Sequence, residues 1–343
     1  MPSATAYTAS AASGSESLSE GQQALTQARQ SGERVEVTGQ RTERNTVYAN
    51  PDGSTFTLEQ SVVPVRVAKP GGGWQAPDAT LVRSADGHVV PKAAAVEMSF
   101  SGGGKAPLAK LAEQGRSLEL RWPAESPAPV LDGSSAVYGD VLPDVDLRIT
   151  ATPESFQQVL VVKTPQAAAN AELRKLTFGL KTEGLDIRQG PDGNLAAVDD
   201  SGRTVFKAPP ARMWDSAGAA SGKQTQLMRA PAELTDEVEP SDPSETAPSG
   251  SGQEPGQGDA VARMDVDVTQ STLEVTPDAQ MLTSTSASAF PVFIDPLWTW
   301  GESERTLLRS DGYESYGWGN GDDGQGKGAG KCGTWSGYYC GPG

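Results

Sequence analysis

The chain has 343 residues, enough for one large core or two ordinary ones, and its 36% hydrophobic content with 39 Gly and 25 Pro assigns a good part of it to loop, linker or tail. Its 44 acidic residues outnumber 28 basic ones for a formal net charge of −16, with no basic cluster. Such a field repels DNA, RNA and anionic lipid, so we expect no nucleic-acid partner, and the lack of any run of 18 apolar residues predicts no membrane span.

Residues 1–33 read as an export remnant followed by a short helix. Met1 to Ala12 is rich in small residues, with Ala4-Thr5-Ala6 in the array of a signal cleavage region but without its charged and apolar parts. Two readings stand there: a start lying upstream with the signal peptide missing from this chain, or an ordinary disordered N-terminus. Ser17 or Ser19 caps the helix, Glu20 supplies an acid in its first turn, and Ser31-Gly32 ends it. Leu18 and Leu25 make a thin apolar face, which predicts a peripheral helix or tether.

From residue 34 to 235 the pattern is that of strands. Asp-Gly punctuation at Asp52-Gly53, Asp86-Gly87, Asp132-Gly133 and Asp192-Gly193, with Asp200-Ser201-Gly202, separates short alternating runs. That cadence predicts an all-β fold of sandwich type, as one sandwich or two stacked units. The clearest stretch is Tyr138 to Lys163. Val145, Leu147 and Ile149 alternate with Asp146, Arg148 and Thr150, a turn follows at Thr152 to Ser155, and Val159 to Val162 is apolar on both faces. This predicts a hairpin of arms 144–150 and 156–163, with Pro143 leading the chain into the first arm and Asp144 and Asp146 on one side of it. Gln166 to Lys175 reads as a short helical crossover.

Between 236 and 260 seven acids and no base accompany four Pro, four Gly and four Ser, a linker or long disordered loop. We read it as an insertion within one β unit, closed by strands in 261–297, with a domain boundary near 240 as the alternative. The tail, 298–343, holds four of the seven Trp, four of the seven Tyr and 13 Gly, and its end looks cut short. Cys332 and Cys340, eight residues apart, fit a disulfide of an exported protein. Two thiols and one distant His88 fall short of the four ligands of a structural zinc site, and we expect no cofactor or metal.

For chemistry, His88 follows a turn with no nucleophile elbow beside it and reads as a solvent-facing strand residue. Asp144, Asp146 and Asp295 are carboxylates of the kind glycoside hydrolysis uses, though capping turns and binding backbone N–H groups is the commoner work of such acids. Gly71 to Gly73 and Gly102 to Gly104 lack the ending of a phosphate loop and read as turns, and Asn320 to Asp323 lacks the ligand spacing of a calcium loop. Trp298, Trp300, Trp318, Trp335 and Tyr338 are the candidate carbohydrate-binding residues, against the reading that aromatics pack around the cysteine bridge.

WQAPDATL (Trp74 to Leu81), YGDVLPDVDLRI with LVVK, PPARMWDS (Pro209 to Ser216), FPVFIDP (Phe290 to Pro296) and KCGTWSGYYC together resemble the N-terminal region of secreted actinobacterial-type multidomain proteins that carry LamG-like jellyroll, RHS-repeat or DNRLRE modules. The resemblance spans nearly all of residues 30 to 343. It implies an extracellular or cell-surface location, a β-rich scaffold ahead of downstream modules of the same polypeptide, and no catalytic residue. The expected function is therefore a non-catalytic scaffold module. A carbohydrate-binding module facing cell-wall or extracellular polysaccharide is the alternative, and a glycan-acting hydrolase the second.

Overall fold

The computed structural model describes residues 18–61, 63–190, 193–219 and 252–296, together with the backbone of two strands at 305–308 and 314–317. It divides into two compact units, Met1–Arg66 and Val67–Gly343. The strand pattern that begins at residue 34 is thus shared between them, because the strands up to Gln60 are what the N-terminal helix packs on.

In the first unit, α1 (Glu20–Ser31) opens with a capping box. Ser19 Oγ accepts the Gln22 N–H at 3.3 Å, and Gln22 Oε1 accepts the Ser19 N–H at 2.9 Å. Gly32, at φ 73°, closes it. The helix lies on an antiparallel meander of β1 (Val35–Glu36), β2 (Asn45–Ala49) and β3 (Phe56–Gln60). It is not a tether. Its buried residues are Ala24 and Ala28, packed with Val37 and Ala49, while Leu18 stays 53% exposed. Small side chains let the helix approach the sheet closely, so alanine carries the full burial while Leu25, of the two expected leucines, packs at its margin. Glu20 fastens the helix start: its carboxylate accepts the Thr38 hydroxyl at 2.7 Å and the Gly39 N–H at 2.8 Å, and the Gly39 bond first, then Thr38, holds its pKa down.

The second unit is a β-sandwich. In chain order it runs through a small ribbon, β4 (Val67–Ala68) and β5 (Trp74–Gln75), then β6 (Asp78–Arg83), β7 (Val89–Ala93), β8 (Glu97–Phe100), β9 (Ala109–Glu113) and β10 (Arg116–Arg121). There follow β11 (Val130–Asp132), β12 (Ser135–Leu142), β13 (Val145–Ala151), β14 (Phe156–Val162), α2 (Pro165–Ala168) and β15 (Leu176–Glu183). A three-stranded sheet of β16 (Asp186–Gln189), β17 (Leu195–Val198) and β18 (Thr204–Ala208) comes next. The chain continues with β19 (Arg212–Trp214), β20 (Val261–Arg263), β21 (Asp265–Val268), β22 (Thr272–Thr276), α3 (Ala279–Ser284) and β23 (Val292–Asp295). A hairpin of β24 (Arg305–Leu308) and β25 (Glu314–Gly317) ends the described backbone.

One main sheet has the order β21-β22-β15-β10-β9-β8-β7-β6, the other β11-β12-β13-β14-β23-β19-β20. Their inner faces, with the three-stranded sheet, share one core that includes Phe100, Leu120, Tyr138, Ile149, Phe156, Phe178, Phe206 and Ile294. The fold is one sandwich, not two stacked ones. Burying such side chains contributes about 1.5–3 kcal/mol each. Edge strands are joined at both sides. Leu81 of β6 donates its N–H to Gly133 O beside β11 at 2.8 Å, and β20 runs into β21 through Met264 alone, so the chain turns the corner from one sheet to the other. The helical crossover is broken into α2 and a 3-10 turn at Ala171–Arg174, because Asn170 caps the second piece. It carries the chain between the two main sheets.

β19 and β20 pair antiparallel, Trp214 opposite Val261, so the acidic segment leaves and re-enters one hairpin. The stem is held by carboxylates: Asp215 Oδ1 accepts the N–H groups of Ala217 and Ala260, and Asp259 accepts those of Gly218 and Gly256.

Candidate functional site

The stretch around Asp146 folds as a three-stranded meander of β12, β13 and β14. Inward residues Val145, Leu147, Ile149 and Ala151 are buried and the residues between them half-buried, as the alternation predicts. Pro143 does not lead into the strand. Leu142 pairs with Val145, so Pro143 and Asp144 form a two-residue turn, with Asp144 at φ 56° in the left-handed region that Asp tolerates. Asp144 therefore does not share a strand face with Asp146.

A bulge sits next to this turn. The β12–β13 register shifts between Tyr138 and Leu142, so Gly139, Asp140 and Val141 face the single residue Asp146, and Asp140 adopts φ 52°. Asp146 Oδ1 accepts the Asp140 N–H at 2.9 Å. It also accepts Lys163 Nζ at 2.6 Å, and Asp140 Oδ1 takes the same ammonium at 3.0 Å. Lys163 N–H in turn donates to Asp144 O at 3.1 Å. One lysine thus ties a bulge, a turn and the end of β14 together. Beside it lies a shallow, open depression of about 630 Å³, lined by Leu142, Pro143, Asp140, Asp144 and Glu172 among others.

The electrostatics of this corner favour anchoring over proton transfer. The hydrogen bond that Lys163 donates to Asp146, with help from Asp140, raises the Lys163 pKa, which keeps the ammonium charged. A lysine base needs the opposite shift. Among the described residues no group of three or more His, Cys, Asp or Glu side chains is placed to hold a metal ion.

A second polar centre was not singled out from the sequence beyond its turn residues. Asp199, 5% exposed, accepts from Ser201 Oγ at 2.5 Å and from the Ser201 and Arg203 N–H groups, and pairs with Arg116 of β10 at 3.1 Å. The Ser201 hydroxyl first, then the backbone donors and Arg116, hold its pKa down to about 2. Asp200-Ser201-Gly202 was legible as a turn; the role of Asp199 and the arginine from a distant strand were not.

On the outer face of the seven-stranded sheet, Trp214 and Phe293 stack with centroids 5.6 Å apart, beside Val159, and the Arg212 guanidinium lies 5.5 Å over the Trp214 ring. The Trp214 indole N–H is buried without a partner among the described residues. Gly252 closes over Phe293, and Gln157 Nε2 donates to Gln253 O at 2.7 Å and to Asp295 Oδ2 at 2.9 Å. Asp295 is therefore a buried tie between β23 and β14.

The other candidates separate. His88 is half-buried, and the Ser84 hydroxyl near it lies on the Asp86 carboxylate and the His88 carbonyl, not on the imidazole. Gly71 to Gly73 turn the chain between β4 and β5, and Gly104 bridges to Ser126. Trp298, Trp300, Trp318, Trp335, Tyr338, Asn320 to Asp323 and the Cys332 and Cys340 pair lie outside the described residues. No described helix is long and apolar enough to cross a membrane.

No protein-family model matches the chain, and no solved structure matches it. Two curated proteins are similar over 85 residues at 32% identity: a tRNA nuclease WapA of Bacillus subtilis (strain 168) and a tRNA(Glu)-specific nuclease WapA of Bacillus subtilis subsp. natto (strain BEST195). The match covers 25% of this chain and 3% of each relative, so the likeness is one of a segment to a small part of far longer proteins.

Proposed function

We propose that the chain is a non-catalytic β-rich scaffold module of a larger secreted or cell-surface protein, of the multidomain kind its motifs resemble, with downstream modules of the same polypeptide as its partners. The observation that carries this reading is the Lys163 corner. The acids of the most distinctive motif are engaged in holding a bulge and a turn, Asp146 with Lys163 at 2.6 Å and with the Asp140 N–H at 2.9 Å, which is work for a fold and not for a substrate. The partial likeness to very long proteins agrees with a module that recurs inside larger chains.

The named activity of those relatives is a second reading to be tested directly. A chain of net charge −16 opposes a tRNA phosphate backbone, so the scaffold reading expects no cleavage of tRNA. The test is incubation of the purified chain with tRNA and with a panel of chromogenic glycosides, alongside a glycan array. Inertness in all three is expected. Turnover of either substrate class defeats the proposal, and glycan retention lost on Trp318→Ala or Trp335→Ala replaces it with the carbohydrate-binding reading.

A further inference from the structure

The edge of the first unit is open in a way the edges of the sandwich are not. Val37 donates its N–H to Val47 O at 2.8 Å, so the backbone of Val47 points to β1 and those of Thr46 and Tyr48 point to β3, where they meet Glu59 and Thr57. By the alternation of a strand, Phe56, Leu58 and Gln60 then aim their N–H and C=O groups away from the sheet. The same three residues put their side chains on the helix side, since Phe56 lies opposite Ala49 and Leu58 opposite Val47, both of which face α1. Phe56 is 46% and Leu58 58% exposed. The Phe56 ring leans over Gly21, where a Cβ would come within 3.3 Å of its Cζ.

Among the described residues nothing blunts this edge. β3 has no Pro, no Lys and no bulge, and its one charge, Glu59, points to the far face and is paired with Arg34 at 2.9 Å. Leu18, Phe56, Leu58, Val63 and Val65 are five of the seven large apolar side chains exposed among the described residues, so the described exposed apolar surface concentrates in this unit. Charge also singles it out. Residues 1–66 hold seven acids and five bases, against 37 and 23 in the remainder, so this is where approach of two like chains meets least repulsion.

We propose that β3 pairs antiparallel with β3 of a second copy about a twofold axis at Leu58, joining two three-stranded meanders into one six-stranded sheet. The register is self-complementary. Leu58 faces Leu58 of the second copy, and Phe56 faces its Gln60, which matches every outward N–H with an outward C=O. On the far face Glu59 meets Thr57 of the second copy, so no like charges oppose each other. On the helix side the two Phe56 and two Leu58 side chains form one apolar stripe between the two α1 helices. An isologous contact of this kind closes as a dimer and does not propagate.

The test uses sedimentation velocity and amide exchange on the full chain over a range of concentrations. A concentration-dependent dimer is expected, in which the amides of Phe56, Leu58 and Gln60 gain protection as it forms, while those of Thr57 and Glu59 are protected throughout. Leu58→Lys sets two ammonium groups across the axis and removes apolar burial, and is expected to weaken the dimer at least about tenfold with an unchanged circular-dichroism spectrum. Thr57→Lys, facing Glu59 of the second copy, is expected to leave it as tight or tighter. A chain monomeric to about 1 mM, a dimer indifferent to Leu58→Lys, or a monomer that takes an extended apolar peptide on this edge in place of its copy each overturns the proposal.

Discussion

The Tyr138 hydroxyl donates to the carbonyl oxygen of Ser101 at 2.7 Å, with both residues fully buried, and so joins the seven-stranded sheet to the chain leaving β8 of the eight-stranded one. Burial pushes the phenol pKa well above its ordinary value, so the hydroxyl keeps its proton past the pH at which an exposed tyrosine loses it. Tyr138→Phe keeps the ring and strands the Ser101 carbonyl. A loss of about 1–3 kcal/mol in urea unfolding is expected, with an unchanged slope. An unaffected midpoint would show that this bond contributes nothing net.

Gln158 presents the opposite case. It lies on the inner face of β14 between Phe156 and Leu160, fully buried, and neither amide atom has a hydrogen-bond partner among the described residues. An unpaired buried amide costs about 1–3 kcal/mol. Gln158→Met keeps length and removes the polar atoms, and is expected to raise the unfolding midpoint. A lowered midpoint would mean that the amide is satisfied in solution.

Asp199 makes the fold sensitive to acid. Its folded pKa of about 2 lies below the ordinary value of 3.8, so its stabilisation is present in full above about pH 4 and is lost as pH falls toward 2. Asp52, also held at about 2 by Thr55 and the Ser54 and Thr55 N–H groups, acts with the same sign in the first unit. Asp199→Asn is expected to lower stability at pH 7 and to flatten its dependence on pH between 4 and 2. Parallel pH profiles for the two proteins would refute the assignment.

Gly252 stands at φ 71°, and a Cβ there would lie 2.7 Å from Phe293 Cε1 and 2.9 Å from Arg148 Nη1. Gly252→Ala is therefore expected to destabilise by about 1–3 kcal/mol, through left-handed strain together with displacement of Phe293. Differential scanning calorimetry reads this directly. Gly193→Ala, where φ is 81° but no atom of the described residues lies within 4 Å of the added Cβ, isolates the strain alone and should cost less.

A serine cap for the first helix at Ser17 or Ser19, the buried alternation of Val145 to Ile149 and the Asp-Gly turns were readable in the chain because each is set by neighbours within a few residues. Helix burial through Ala24 and Ala28, and Pro143 in a turn instead of a strand, were not. Both depend on which strand lies opposite, and a one-residue change in that choice reverses a face.

What the sequence by itself determined is the kind of fold: a period of two, punctuated by turn residues, admits little except antiparallel sheets. Only the tertiary structure decided what the polar residues do. Lys163 meets Asp140 and Asp146, Arg116 meets Asp199, and Asp259 meets Gly218 across intervals that carry no local signal. The physical reason is that hydrophobic burial follows from a residue's own type and spacing, whereas an ion pair or a clamped backbone needs two distant positions delivered to within about 3 Å of each other, and register and topology alone set that distance.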